Sequence, residues 1–155
     1  MKPTPWYDRA EMAFELPQSL YKEILAHARD GMPNEACGVI AGDDGRPVRV
    51  YPMRNADGSP LVYRFDEREQ LEVFNEIEEK GWDLLAFFHS HTHTEAYPSP
   101  TDRAHAHWSD PLSGEEVPTY PGTRYMILSL AEQEPVLRAF TFDEGEPLEE
   151  DVRIT

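Results

Sequence analysis

The sequence has one cysteine, no long hydrophobic run and few basic residues, and each of these shortages excludes a class of protein. Cys37 alone cannot form an internal disulfide, which excludes a disulfide-stabilised secreted scaffold. No stretch approaches the ~20 apolar residues that a membrane-spanning helix needs, and the N-terminal residues lack the apolar core of a signal peptide. We therefore expect a cytoplasmic protein that has no membrane partner.

The charge is strongly acidic. Lys and Arg total 14 against 30 Asp and Glu, which gives a formal net charge of −16. A phosphate backbone would be repelled by this charge, so we expect no nucleic-acid partner. At 155 residues the chain is long enough for one domain with a single core, which we expect to span residues 16–155.

Residues 1–15 form a Pro-rich, aromatic lead-in with no clear hydrophobic period. Trp6, Tyr7 and Phe14 of this segment are expected to pack either on the domain or on a second subunit. The second alternative leaves a homodimer open.

Hydrophobic periodicity predicts an α/β architecture. Three helices are predicted, from Pro17 to Asp30, from Asp66 to Lys80 and from Ser99 onward, and the second has an inward stripe of Leu71, Phe74 and Ile77. Strands are predicted over residues 36–42, 48–53, 61–65, 84–88, 124–130 and 136–142, with an edge strand in the tail. Residues 111–122 hold three prolines and two glycines, which predicts a loop insertion lying either beside the functional cleft or passively on the surface.

The most informative stretch begins where the apolar strand 84–88 ends. Residues two apart in a strand share a face, so His89 and His91 are expected to project side by side. Ser99 followed by Pro100 and, three residues after the serine, Asp102 is typical of a helix start. Two imidazoles and one carboxylate make a three-ligand zinc set that leaves a fourth position for water, which is typical of a catalytic site. We expect one Zn²⁺ per chain, held by His89, His91 and Asp102.

Three further histidines lie close to this motif in sequence. His93 shares strand parity with His91 if the strand continues, and we treat it as a candidate substrate-binding residue. His105 and His107 diverge by about 200° on a helix, so they are not expected to serve one metal together.

The order His-x-His, seven residues, Ser-x-x-Asp, filled by His89, His91, Ser99 and Asp102, resembles the JAMM signature of the MPN-domain zinc metallopeptidases. The family also has an upstream glutamate on an early strand, and Glu35 matches it in type and context. The resemblance implies a single MPN domain of the α/β class, with a curved, mostly antiparallel sheet flanked by helices. It also implies metal-assisted hydrolysis.

The resemblance implies catalytic roles for two residues. Glu35 would take a proton from the attacking water and pass it to the leaving amine. Ser99 would donate to the developing oxyanion, a role that we expect to compete with its capping of the following helix.

Shorter matches around Arg54–Ala56, Glu69–Leu71 and Thr94–Ser99 resemble one subgroup of the family, the CysO-cysteine peptidases. This subgroup implies cleavage after the C-terminal Gly-Gly of a ubiquitin-like sulfur-carrier protein, with release of cysteine for biosynthesis. Two alternatives stay open: a general isopeptidase that removes ubiquitin-like modifiers from lysine, and a non-catalytic MPN scaffold that binds partners.

Overall fold

The computed structural model describes residues 13–155. Most of the predicted lead-in, with Trp6 and Tyr7, therefore lies outside the described residues. The described part contains ten strands and three helices: β1 (Phe14–Leu16), α1 (Gln18–Gly31), β2 (Cys37–Asp43), β3 (Arg46–Met53), α2 (Glu67–Glu79), β4 (Asp83–His91), α3 (Pro100–His105), β5 (His107–Ser109), β6 (Glu116–Pro118), β7 (Arg124–Ser129), β8 (Val136–Thr141), β9 (Leu148–Glu150) and β10 (Val152–Ile154).

A six-stranded sheet in the order β3-β2-β4-β7-β8-β9 forms the centre of the domain. Every neighbouring pair in it is antiparallel except β4–β7, which is parallel. The predicted α/β class with a mostly antiparallel sheet is therefore confirmed. The predicted edge strand in the tail is confirmed as β9, and β10 pairs in parallel with β1.

The two faces of the sheet bury different side chains, because residues alternate along each strand. On one face Ala86 and Phe88 of β4 pack with Ile24 of α1. On the other face Phe87 of β4 packs with Ile77 of α2. His89 and His91 continue the series that begins with Phe87, so they lie on the α2 face.

Helix α1 is also tied to the sheet by a histidine. The Nε2 atom of the half-buried His27 lies 3.0 Å from the carbonyl oxygen of Cys37 and 3.1 Å from that of Met53. Both partners only accept, so this nitrogen carries the hydrogen and donates to both. His27 thus joins the start of β2 to the end of β3.

The predicted strand 61–65 is wrong. Only an isolated bridge between Asn55 and Phe65 occurs there. Instead, the Asn55 side chain organises the loop: its Nδ2 donates to the Val62 carbonyl at 2.9 Å, and its Oδ1 accepts from the backbone N–H groups of Asp57 and Arg64. A side-chain amide thus replaces the ladder that a strand would have needed.

The stripe predicted for α2 is partly wrong. Ile77 is buried and Phe74 packs against the same cluster, whereas Leu71 is 62% exposed. Asp66 caps the helix as predicted, by accepting from the Glu69 N–H at 3.1 Å. The Glu69 carboxylate accepts from the backbone N–H of Arg54 at 2.7 Å, which ties α2 to the loop beside it.

The stretch 111–122, predicted as a loop, contains β6, which pairs with β5. The segment after β6 places the Tyr120 ring 4.8 Å from the Phe87 ring, so this part of the chain covers the α2 face of the sheet. In the described part of the chain, no helix combines the length and apolar character needed to cross a bilayer.

Gly38 in β2 permits a close contact across the sheet. A Cβ atom there would lie 2.3 Å from the Tyr51 carbonyl oxygen and 2.4 Å from Cζ of Phe88. We predict that Gly38→Ala lowers the free energy of unfolding by about 1–3 kcal/mol or more, because a packed core resists an added methyl group. Denaturant unfolding measures this, with Gly31→Ala as the matched control, since a Cβ atom there would lie 3.3 Å from Cβ of Ala36, a tight contact that needs a shift of only a few tenths of an ångström. Equal losses in the two variants would contradict the prediction.

Candidate metal centre

The candidate site lies where β2 and β4 come together. Cys37 pairs with His89 in the antiparallel register. The pairing continues one residue further, since the Ser90 N–H donates to the Ala36 carbonyl at 2.9 Å and the Ser90 hydroxyl accepts from the Ala36 N–H at 2.8 Å. Directly opposed residues of an antiparallel pair share a face. Glu35 is therefore held opposite His91, on the face that also carries His89.

Three candidate ligand atoms converge at the end of β4. The Nε2 atoms of His89 and His91 lie 3.1 Å apart, and each lies 3.1 Å from Oδ2 of Asp102. A tetrahedral zinc ion with bonds of about 2.0–2.1 Å would hold its ligand atoms about 3.3 Å apart. The two imidazole nitrogens and the carboxylate oxygen therefore fit a zinc ion in both chemistry and spacing.

Helix α3 presents Asp102 through the predicted capping box. The Ser99 hydroxyl accepts from the Asp102 N–H at 3.0 Å, and the Asp102 carboxylate accepts from the Ser99 N–H at 2.9 Å. Capping uses a lone pair of the Ser99 oxygen and leaves its hydroxyl hydrogen available to donate. The competition expected between capping and donation therefore does not arise.

Hydrogen bonding and stacking orient the two imidazoles. Nδ1 of His91 lies 2.7 Å from the Glu95 carbonyl, to which only a protonated Nδ1 can donate, so Nε2 is left free to bind a metal. The His89 ring stacks on Tyr63, with ring centroids 4.6 Å apart. Tyr63 belongs to the loop that Asn55 organises, and the Asn55 amide also donates to the Glu35 carbonyl at 3.0 Å.

Ser90, Asn55 and Tyr63 were not identified as site residues from the sequence. Strand parity predicts only that Ser90 points away from the two imidazoles. In the structure its hydrogen bonds to Ala36 hold the backbone beside Glu35. Asn55 and Tyr63 reach the site through a loop whose path depends on contacts far apart in sequence. Asn55 lies within one of the short subgroup matches, but no local pattern indicates that either side chain reaches the site.

Glu35 is buried but ready to accept a proton. Its side chain is 5% exposed, and among residues 13–155 its Oε1 atom has no hydrogen-bond partner. Burial raises the pKa of Glu35 to about 7; the neighbouring His91 opposes this shift and Asp102 adds to it. A carboxylate with this pKa can take and return a proton near neutral pH.

Two of the three candidate ligands favour protonation states that suit metal binding. Burial lowers the pKa of His89, which favours the neutral imidazole. Burial opposes ionisation of Asp102, but hydrogen bonds from His89 and His91 outweigh it and hold the pKa of Asp102 well below its usual range. A neutral imidazole and an ionised carboxylate are the forms that coordinate zinc. For His91 in the metal-free protein, burial lowers the pKa, but hydrogen bonds to Asp102 and the Glu95 carbonyl outweigh it and raise the pKa, so a bound metal would displace a proton there.

His93 and His107 are not part of this ligand group. Strand β4 ends at His91, so the parity argument for His93 fails, and the exposed His93 bonds instead through Nδ1 to the Thr92 hydroxyl at 2.8 Å. His107 begins β5 and bonds to the Arg103 carbonyl.

The single cysteine does not suit a catalytic role. Cys37 is fully buried, and burial raises the pKa of its thiol to about 12, which does not suit a nucleophile.

A cavity of about 340 Å³ opens beside the candidate ligands. His89 and Asp102 form part of its wall, and Ile127 and Pro98 lie next to them. Three polar residues also line the cavity: Arg64, Gln70 and His105, which is the last residue of α3. The rest of the wall is aromatic, formed by Tyr63, Phe65, Phe87, Tyr120, Tyr125 and Phe142.

Two curated relatives resemble most of the chain. The CysO-cysteine peptidase of Mycobacterium tuberculosis is 38% identical over 138 residues, which cover 87% of this chain and 86% of that protein. The desampylase of Haloferax volcanii is 39% identical over 113 residues, which cover 68% of this chain and 73% of that protein.

The fold matches a solved structure, that of a JAB1/MPN domain protein from Archaeoglobus fulgidus. The TM-score is 0.54 at 16% identity, with 91% of this chain and 99% of that chain covered. The family model of prokaryotic homologues of the JAB domain matches residues 17–142. The chain therefore belongs to the prokaryotic JAB-domain family and has the JAB1/MPN fold, as its His-x-His…Ser-x-x-Asp motif predicted.

Proposed function

We propose that this protein is a zinc-dependent peptidase that cleaves after the C-terminal Gly-Gly of a ubiquitin-like sulfur-carrier protein and releases cysteine for biosynthesis in the cytoplasm. One observation carries the hydrolytic part of the proposal: three ligand atoms lie 3.1 Å apart, and the buried Glu35 carboxylate lies on the same face of the sheet. The substrate is supported by the likeness to the CysO-cysteine peptidase of M. tuberculosis.

In the proposed reaction His89, His91 and Asp102 would hold one zinc ion. A zinc ion bound in this way would lower the pKa of a coordinated water to roughly 7 and would polarise a carbonyl group. Glu35 takes the proton of the attacking water, as its raised pKa allows, and returns it to the departing amine. Burial keeps this carboxylate away from bulk water, so the proton stays within the site.

Ser99 stabilises the negative charge that develops on the carbonyl oxygen. Its backbone position is fixed by the capping box with Asp102. Its hydroxyl hydrogen is left free by capping and donates to the oxyanion. Ser99 is not a nucleophile in this proposal, because a serine nucleophile needs an adjacent general base.

The likeness to a desampylase supports a second candidate, removal of ubiquitin-like modifiers from lysine side chains of other proteins. Both candidates use the same metal site and differ in the leaving group, which is free cysteine in one and a protein amine in the other. A non-catalytic scaffold is disfavoured, because a binding role does not require a buried carboxylate beside three converging ligands.

We predict that the zinc-loaded protein releases cysteine from a carrier ending in Gly-Gly-Cys, and that a chelator stops the reaction. Product mass spectrometry on this carrier, and on the same carrier joined to a lysine side chain, separates the two candidates. Cleavage of both substrates, or of the lysine conjugate alone, would assign the protein to deconjugation. Cleavage of neither substrate, with zinc bound stoichiometrically, would refute both.

Replacing Glu35 by Gln should abolish turnover while one zinc per chain stays bound, because the amide cannot accept the proton.

In the metal-free protein the same change should affect the free energy of unfolding in a pH-dependent way. The pKa of Glu35 in the folded chain, about 7, exceeds the ordinary 4.5, so wild type loses stability as pH rises through this range. As the pH rises from 4 to 8, the free energy of unfolding of the variant should therefore increase by about 3 kcal/mol relative to that of wild type.

Metal analysis, turnover assays and denaturant unfolding at several pH values measure these effects. Glu95→Gln is the matched control: its side chain is exposed and only its backbone carbonyl contacts His91. Loss of zinc from the Glu35 variant would show that Glu35 is a ligand. A pH-independent difference in stability would contradict the raised pKa.

Asp102→Ala and Ser99→Ala should separate metal binding from transition-state stabilisation within one capping box. Asp102→Ala should lower zinc content and activity together. Ser99→Ala should keep the zinc, lose about 1 kcal/mol of stability with the cap and lose ~10²–10³-fold in rate. Zinc content by atomic absorption and kcat on the cysteine carrier test both outcomes. Unchanged zinc in the Asp102 variant, or full activity in the Ser99 variant, would refute the corresponding role.

A further inference from the structure

The cavity beside the candidate ligands has the size and lining of a side-chain pocket. Six aromatic residues line it, and its volume is about 340 Å³. An apolar cavity of about 150 Å³ is enough to hold benzene. A glycine tail, which has no side chain, would leave most of this space unfilled.

The pocket and the candidate metal ligands share one continuous surface. Phe87 and His89 lie on the same face of β4, and in β7 their partners in the register are Tyr125 and Ile127. All four residues line the cavity. A group seated against Phe87 and Tyr125 therefore lies two residues along β4 from the candidate metal ligand His89, at the next residue pair on the same face of the sheet.

The proposed function indicates which part of the substrate can reach this position. On the carbonyl side of the bond the substrate has two glycines, and two extended residues span about 7 Å. The first side chain on that side thus begins about 7 Å from the reacting bond. On the other side, the released residue carries its side chain directly beside the bond.

We propose that this cavity is the specificity pocket for the side chain of the released residue, and that it selects apolar side chains over charged ones. The assignment rests on the proposed function. Cysteine enters the pocket without filling it, while phenylalanine or methionine contacts more of the aromatic wall. A carboxylate would lose its hydration among the six rings, and the one arginine among the described residues of the wall, Arg64, already pairs with Asp57 through its Nε at 3.1 Å.

Tyr120 is the lining residue best suited to test the pocket. Its ring lies 4.8 Å from Phe87 and packs perpendicular to Phe74 at 6.5 Å, so it closes the cavity over the sheet. It comes from the segment after β6, outside the strands that carry the candidate metal ligands. Trp108, in β5 of the same hairpin, is 49% exposed and does not line the cavity, which makes it a matched control.

The test compares four carriers that end in Gly-Gly followed by Phe, Met, Cys or Asp. For the zinc-loaded wild type we expect kcat/KM for the Phe and Met carriers to exceed that for the Asp carrier by about tenfold or more, with Cys between them. Tyr120→Ala should reduce the preference to less than about threefold. Tyr120→Phe, which keeps the ring, and Trp108→Ala should both retain the preference.

A second readout does not depend on catalysis. Indole titrated into the metal-free protein and followed by NMR should shift the signals of cavity residues in wild type, Tyr120→Phe and Trp108→Ala. The shifts should weaken in Tyr120→Ala. Signals that do not move in wild type would overturn the pocket assignment.

The outcomes separate this proposal from the proposed function. Equal kcat/KM for all four carriers, or an equal loss of preference in Tyr120→Ala and Trp108→Ala, would overturn the pocket assignment and leave the peptidase function standing. Cleavage of none of the carriers by the zinc-loaded protein would overturn the proposed function, and this assignment with it.

Discussion

The pairing of β2 with β4 is the interaction on which the candidate site depends. It brings Glu35 opposite His91, although the two residues are far apart in sequence, and the bonds between Ala36 and Ser90 extend it beyond the regular strand. A slip of one residue would turn Glu35 to the opposite face of the sheet, away from the imidazoles. Gly38 permits this pairing, because a Cβ atom at this position would clash with the Tyr51 carbonyl oxygen and the Phe88 ring.

The site also carries a cost in stability that the surrounding structure offsets. Glu35 is buried, and one of its oxygens has no hydrogen-bond partner within the described part of the chain, which is unfavourable for an ionised carboxylate. The Asn55 amide holds the Glu35 backbone, and the Ser90 hydroxyl holds that of Ala36. The backbone around the carboxylate is therefore fully bonded while its side chain is left free to exchange a proton, as an acid–base residue requires.

The parts predicted well from the sequence are those set by local rules. Strand parity placed His89 and His91 on one face, and capping chemistry placed Asp102 at the start of α3. The predictions failed where the structure depends on contacts between distant residues. At residues 61–65 the side chain of Asn55 organises a loop where a strand was expected. In α2, Leu71 is exposed because other residues of the helix face the sheet. The sheet order and the aromatic cavity depend on pairings between distant segments, which no local pattern encodes.

The alternation of side chains along β4 brings the candidate metal ligands and the aromatic cavity together on one face of the sheet. One face of this strand carries Phe87, His89 and His91 in succession, so the aromatic floor of the cavity runs directly into the candidate metal ligands. The opposite face carries Phe88 and Ser90, which pack toward α1 and bond to the β2 backbone. Both faces of the sheet carry core residues, with α1 on one side and α2 on the other, and at the end of β4 the α2 face holds the candidate metal ligands beside the aromatic cavity.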